Sequence, residues 1–291
     1  MPPASLIGCL RKSRFGIGTV GVLLGLLCGW LAGCGRPAEP EADLPKVGAA
    51  NSYVECAARD ILATPVSFVR LAEPGMCPGH FDLRPSQVAE LGRCRMLLRF
   101  DFQNSLDGRL VGAPGAGPRI VGVGVEGGLC QPGSYLSVCE RLAQALVAEG
   151  LVESRAAEGR LKIVSERVNS GAARLRESVR GAGLSGLPVV TSIHQRAFCE
   201  ELGLTVAATF RASDAARMSE VDAVIEAAQK AGVKWVIANL PEGRRLADAL
   251  ASRLDAKVVV FGNFPDPGRS PAAFDALLES NVHALLAAAR R

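Results

Sequence analysis

The hydrophobic positions of this chain fall into two alternating patterns. Short runs of aliphatic and β-branched residues, bounded by turn residues, are separated by longer segments in which apolar residues recur every three or four positions. The short runs predict strands, and the longer segments predict amphipathic helices. Because the two kinds alternate, the sequence predicts an α/β protein with parallel sheets covered by helices.

The predicted strands form two groups along the chain. Those of the first group lie near residues 66–71, 96–100 and 120–125, with helices near residues 52–62 and 85–91. Those of the second group lie near residues 188–192, 204–209, 234–239 and 257–261, and helical segments separate them. We therefore expect two parallel-sheet α/β domains, spanning residues 47–150 and 184–291.

A long polar segment separates the two groups of strands. Residues 152–179 contain no proline and carry apolar side chains at helical spacing, among them Val164, Val168 and Leu175. Gly171 weakens such a helix by about 1 kcal/mol relative to alanine, which is too little to break it. We predict one continuous helix, within residues 151–183, that bridges the domains.

The first 33 residues have the layout of a secretory signal peptide. Three positive charges, Arg11, Lys12 and Arg14, precede an uncharged and largely apolar run that ends in Leu31-Ala32-Gly33-Cys34. This ending resembles the lipobox of bacterial lipoproteins, in which the cysteine thiol receives the lipid. We expect cleavage before Cys34, lipidation of Cys34, a flexible tether over residues 34–46 and attachment to a membrane of the bacterial cell envelope, on its periplasmic or extracellular face. The alternative is an uncleaved membrane anchor.

Charge and motifs exclude several classes of function. The formal net charge is +4, and loss of the signal peptide lowers it to about +1, so no nucleic-acid footprint remains. The sequence contains no Gly-x-Ser-x-Gly elbow, no P-loop and no His-Glu-x-x-His motif. We therefore expect that the protein is not an enzyme. We also expect it to be a monomer.

Histidine and cysteine supply the candidate chemistry. Of the three histidines, His80 lies in a turn-rich loop after a predicted strand, and His194 lies at the carboxyl end of another, where α/β sheets bind ligands. His283 belongs to the last helix and receives no role. The cysteines after Cys34 are Cys56, Cys77, Cys94, Cys130, Cys139 and Cys199. An even number in an exported protein permits disulfides, but the pairing stays open. Cys139 and Cys199 are interpreted as buried apolar residues, with a mutual disulfide as the alternative.

Several local patterns recur in the order of a known family. The chain has His80 before Pro85-Ser86, then His194 with Phe198 and Gly203-Leu204, and near its end Phe274 with Asn281. In this order the residues resemble the metal-binding lipoproteins of ABC transporters that import zinc or manganese. The resemblance covers nearly the whole mature chain. It implies two α/β domains joined by a long backbone helix, a metal ion in the cleft between them and an ABC-transporter permease as partner.

The chain departs from this family at two metal ligands. The family's His-x-Trp-Leu-Asp-Pro motif corresponds to residues 127–132, where Gly127 stands in the place of the histidine. The resemblance also implies a carboxylate after the final strand, where this chain has Asn263, with Asp266 as a nearby substitute.

Two cysteines offer replacement ligands. Cys77 and His80 have a spacing typical of zinc ligands, and Cys130 lies in the loop of the missing histidine. Thiolates would favour zinc or monovalent copper over manganese. A disulfide between Cys77 and Cys130 is the alternative, because the outer side of the membrane is oxidising. The candidate metal ligands are therefore His80, His194, Cys77, Cys130 and Asp266.

The sequence thus predicts a solute-binding lipoprotein that captures a transition-metal ion for an ABC-transporter permease. We expect zinc, with manganese or copper as other possibilities. One alternative keeps the fold but binds an organic ligand or a metal chelate in an apolar cleft. Another is a surface adhesin or assembly lipoprotein without a transport role. The last is an exported enzyme that uses Cys77 or Cys130 with His80 as a nucleophile pair.

Overall fold

The computed structural model describes residues 46–62, 64–76, 83–109, 117–212 and 217–290. These residues form two four-stranded sheets in which every pair of neighbouring strands is parallel. The strands are β1 (Lys46–Ala49), β2 (Ser67–Arg70), β3 (Met96–Phe100), β4 (Arg119–Val123), β5 (Pro188–Ser192), β6 (Thr205–Phe210), β7 (Trp235–Asn239) and β8 (Lys257–Phe261). Their orders are β2-β1-β3-β4 in the first lobe and β6-β5-β7-β8 in the second. The predicted fold class is therefore confirmed.

Helices cover both sheets. They are α1 (Ser52–Ile61), α2 (Pro85–Leu91), α3 (Ser105–Arg109), α4 (Pro132–Ala148), α5 (Ser154–Gly181), α6 (Arg196–Glu201), α7 (Met218–Lys230), α8 (Arg245–Leu254) and α9 (Ala273–Ala289). Short 3-10 turns follow β3, β5 and β7 at their carboxyl ends. Among the helices of the described ranges, none is long and apolar enough to cross a membrane.

Local sequence explains where several helices begin and end. The side chain of Asn51 accepts hydrogen bonds from the backbone N–H groups of Tyr53 and Val54, at 3.0 and 3.1 Å, so α1 begins at Ser52. Proline occupies the first turn of α2 and of α4, where its missing N–H is not needed. Helix α8 ends at Leu254, and the next residue, Asp255, caps it in the left-handed conformation with φ of 50°.

The predicted bridging helix is confirmed. Helix α5 runs without a break through Gly171 and covers 28 residues. The main hydrophobic core follows it through both lobes and includes Val47 and Phe100 of the first lobe, Val164 of α5, and Phe261 and Phe274 of the second lobe. The two lobes therefore share one apolar interior along this helix. The exact boundaries predicted for the domains stay a prediction.

The prediction missed strand β1 and so assigned three strands to the first sheet. This strand has only four residues, Lys46-Val47-Gly48-Ala49, and follows directly on the polar tether, so no alternating pattern marks it. A Cβ on Gly48 would lie 2.6 Å from Cδ2 of Leu91, which means that glycine permits α2 to pack closely on this strand. The signal peptide, Cys34 and the rest of the tether lie outside the described residues.

The cysteines inside the described ranges are free thiols and are buried: Cys56, Cys94, Cys130, Cys139 and Cys199. The interpretation of Cys139 and Cys199 as buried apolar residues on helices is confirmed, and the two are not bonded to each other. Cys130 does not form the disulfide that was the alternative to metal ligation.

Candidate functional site

His194 lies at the carboxyl end of β5, in the turn Ile193–Gln195. The hydroxyl oxygen of Ser192 accepts the backbone N–H of His194 at 3.3 Å and so holds the start of this turn. The histidine side chain is 58% exposed. Its imidazole is therefore accessible at the edge of the sheet where parallel α/β proteins bind ligands.

Glu242 is paired with this histidine, and sequence reasoning did not identify it. It lies in the turn Leu240–Glu242 after β7, the strand that neighbours β5. Its Oε1 lies 3.5 Å from Nε2 of His194, and its Oε2 accepts the hydroxyl of Ser192 at 2.5 Å. The side chain is only 14% exposed. A carboxylate and an imidazole therefore meet at the carboxyl edge of the second sheet.

A loop of the first lobe reaches the same place. Gly75 lies in the turn after β2, with a φ of +88° that favours glycine. A Cβ added to Gly75 would lie 3.6 Å from Cδ2 of Leu240, so this loop lies against the turn that carries Glu242. The loop leads along the chain to Cys77 and His80, which lie outside the described residues. Their role as ligands stays a prediction.

Cys130 lies in the loop between β4 and α4 and contacts the second lobe. Its thiol donates to the backbone carbonyl of Gly262 at 3.1 Å, and the side-chain oxygen of Asn263 is 3.5 Å away. Complete burial raises the pKa of this thiol well above its usual value. The metal-binding form of cysteine is the thiolate, whereas here Cys130 is a buried hydrogen-bond donor. Its role as a metal ligand is an untested prediction.

Buried side-chain amides surround this thiol. The Nε2 of Gln195 lies 3.0 Å from Oδ1 of Asn239, 2.6 Å from Oδ1 of Asn263 and 3.2 Å from the carbonyl of Gly262. Asn281 accepts the N–H of Gly262 at 2.8 Å and donates to its carbonyl at 3.0 Å. We call Gln195, Asn239, Asn263, Asn281 and Cys130 the amide cluster. It ties the loop of Cys130 to the strand ends of the second lobe.

The amide cluster accounts for one of the two departures from the family pattern. Asn263, which replaces the implied carboxylate, is buried in the cluster and accepts from Gln195. Sequence reasoning did not identify the cluster, because its members are separated by up to 151 positions. The hydrogen bonds between Asn281 and Gly262, which follows β8, could not be predicted from the local sequence around either residue.

The other departure, Gly127, is fixed by its local packing. This residue has a φ of +79°, and a Cβ placed on it would collide with Oε1 of Gln131. The same oxygen accepts the N–H of Gly128 at 2.9 Å. A side chain at position 127 would therefore displace the Gln131 side chain and would be strained by the positive φ.

Asp266 has local partners. It accepts the N–H of Gly268 at 3.1 Å and forms an ion pair with Arg269 at 3.0 Å. Within the described part of the chain, no group of three or more histidine, cysteine, aspartate or glutamate side chains is placed to hold a metal ion. The structure thus brings His194 together with Glu242, and it places Cys130 and Asp266 in other contacts.

The burial of the thiols predicts slow alkylation. Burial raises the pKa of Cys199 to about 12 and shifts that of Cys130 in the same direction. Because each pKa unit lowers the thiolate fraction tenfold, iodoacetamide at pH 7.5 should modify Cys130 and Cys199 at least about 100-fold more slowly in the native chain than in urea. Peptide mapping by mass spectrometry measures both rates. Equal alkylation rates of Cys130 in the native chain and in urea would mean that its thiolate is accessible. That result would support Cys130 as a metal ligand.

Comparison with known proteins supports the fold. No protein-family model and no curated protein sequence matches the chain. Among solved structures, the cadmium-bound periplasmic metal-binding protein from Candidatus Liberibacter asiaticus has a TM-score of 0.70 and 13% identity, covering 84% of this chain and 99% of that chain. Its manganese-bound form gives the same values. A zinc-bound deletion mutant of ZnuA has a TM-score of 0.68 and 13% identity, covering 84% of this chain and 97% of that one. The chain therefore shares the fold of these metal-binding proteins.

Proposed function

We propose that this chain is a lipid-anchored solute-binding protein that captures a transition-metal ion, zinc foremost, between its two lobes and delivers it to an ABC-transporter permease. One observation carries the proposal. The exposed imidazole of His194 faces the carboxylate of Glu242 at the carboxyl edge of the second sheet, beside the loop that leads to His80. Imidazole and carboxylate are the donors that zinc takes in proteins besides thiolate.

The shared fold supports the proposal. Similar structures from Candidatus Liberibacter asiaticus and of ZnuA hold cadmium, manganese or zinc. The location proposed here, the outer face of a membrane in the bacterial cell envelope, rests on the signal-like segment and on lipidation of Cys34. No catalysis is proposed, because a captured ion needs only to be bound and released.

The donor set favours borderline divalent ions. Monovalent copper prefers thiolate and thioether ligands, but Cys130 is a protonated thiol in the amide cluster. Nitrogen and oxygen donors from His194 and Glu242 suit zinc, and they also accept manganese. Acid should release the ion, because a protonated imidazole cannot coordinate.

The experiment is a thermal melt of the full chain with and without zinc. Zinc that binds only the native state raises the melting temperature. At a zinc concentration 100-fold above Kd, the free energy of unfolding rises by about 2.7 kcal/mol. His194→Ala and His80→Ala should each abolish most of this shift. The control is His283→Ala, because His283 is an exposed histidine of α9 that has no predicted role in the site. An unchanged zinc shift in His194→Ala would refute the proposal.

An organic ligand or a metal chelate is the second candidate. Three apolar side chains are exposed close to the same edge: Met76 at 44%, Ile193 at 38% and Leu240 at 54%. An apolar rim next to a few polar groups is typical of small-molecule sites. No thermal shift with zinc, manganese or copper ions, together with a shift on adding a metal chelate, would favour this candidate.

A further inference from the structure

We propose that Glu242 is a metal ligand and that it supplies the carboxylate that is absent at position 263. This inference rests on the proposed function and assigns a residue to it. Asn263, at the position where the family resemblance implies the carboxylate, is an amide buried against Gln195. Glu242 reaches the edge of the same sheet from β7, the strand between β5 and β8.

The distance between the two donor atoms fits a shared ion. Bonds of about 2.1 Å that meet at a tetrahedral angle place two zinc ligands about 3.4 Å apart. Nε2 of His194 and Oε1 of Glu242 are 3.5 Å apart. This separation is too long for a strong hydrogen bond. The two atoms are therefore spaced as neighbouring ligands of one ion.

The second oxygen of Glu242 is held in place. The hydroxyl of Ser192 donates to Oε2 at 2.5 Å, and the same hydroxyl oxygen accepts the backbone N–H of His194 at 3.3 Å. Ser192 itself is fully buried. One serine therefore positions both the histidine and the carboxylate, as outer-shell partners of metal ligands commonly do.

The charge of Glu242 is not balanced by a basic side chain. Over the described ranges, its only ion-pair partner is His194, which is charged only when protonated. A carboxylate that is 86% covered and lacks a cation is costly. Asp266, in contrast, is paired with Arg269. A divalent cation would balance the charge of Glu242.

The two donor atoms also indicate the class of ion. The site offers one imidazole nitrogen and one carboxylate oxygen, with remaining positions open to water or to further side chains. These donors suit zinc and manganese and give no preference to monovalent copper.

The test is isothermal titration of the full chain with zinc chloride at pH 7.5. Loss of an outer-shell partner lowers metal affinity by about 10–100-fold, so loss of a ligand in Glu242→Gln should lower it by at least about 100-fold. The glutamine keeps an oxygen that can accept the Ser192 hydroxyl, so the variant removes the charge and leaves the serine that positions His194 in place. Ser192→Ala should lower the affinity less, because it removes only the positioning hydroxyl.

Two controls make the test specific. Glu200→Gln removes an exposed carboxylate of α6 that is paired with Arg196, and it should leave zinc affinity unchanged. Asp266→Asn removes the other carboxylate suggested by the sequence. Thermal melts without metal establish that every variant folds. Wild-type affinity in Glu242→Gln, or a larger loss in Asp266→Asn, would overturn the assignment of Glu242. Absence of zinc binding in the wild type would instead refute the proposed function itself.

Discussion

Replacing Arg167 with methionine should lower the free energy of unfolding by about 3–5 kcal/mol, because it leaves buried charges without their partner. Arg167 lies on α5 and binds Asp60 of α1 through both terminal nitrogens, at 3.0 and 2.6 Å. Its Nε is 2.9 Å from Oδ2 of Asp275 on α9. That contact lacks hydrogen-bond alignment, so we count it as charge attraction alone. One arginine of the bridging helix thus joins both lobes.

Urea unfolding followed by circular dichroism at pH 7 measures this effect. The control is Arg176→Met, on the same helix, which removes an exposed pair with Glu201 and should cost at most about 1 kcal/mol. Equal losses in the two variants would contradict a central role for Arg167.

The loss of unfolding free energy in Arg167→Met, relative to the wild type, should become smaller in acid. Burial raises the pKa of Asp275, and Arg167 opposes that rise. Without the arginine the folded-state pKa of Asp275 rises further above its unfolded value. The penalty is then greatest above that folded-state pKa and falls as the carboxyl takes up a proton at lower pH.

Replacing Phe274 with alanine should lower the free energy of unfolding by about 3–5 kcal/mol, as for other buried rings. The ring is fully buried and stacks on Tyr135 of α4, with centroids 3.8 Å apart. It also meets the edge of Tyr53 on α1 at 6.0 Å. The variant therefore opens a cavity where the second lobe packs on the first.

The control for this variant is Phe102→Ala. Phe102 stacks on Phe100 with centroids 5.1 Å apart but is largely exposed, so its loss should change stability by about 0.5 kcal/mol. Chemical unfolding of both variants measures the two losses of stability. A loss below about 1 kcal/mol for Phe274→Ala, which is roughly the range of surface substitutions, would show that the lobes do not depend on this contact.

Strong local patterns in the sequence were sufficient to predict most of the fold. Strands β3, β5 and β8 occupy the predicted positions because each is a short run rich in aliphatic and β-branched residues. Helix α5 follows its prediction because its apolar stripe continues across Gly171. Strand β1 was missed because four residues with a central glycine carry no alternation.

The site was less accessible to sequence reasoning. His194 was correctly predicted to lie at a sheet edge, because the carboxyl end of β5 can be recognised from the local sequence pattern. Glu242 was overlooked because the sequence does not reveal that β7 neighbours β5. A glutamate after the end of a predicted strand was the available signal. The environment of Cys130 depends on Gly262, which is 132 residues away, so no local spacing could distinguish a ligand from a buried hydrogen-bond donor.

Metal content is the most direct test of the central claim. Elemental mass spectrometry of the purified full chain should find about one zinc ion per molecule, as expected when binding is coupled to the folded state. Chelation should remove that ion and lower the melting temperature. A chain that holds no zinc, and whose melting temperature does not respond to added zinc, manganese or copper, would contradict capture of a metal ion.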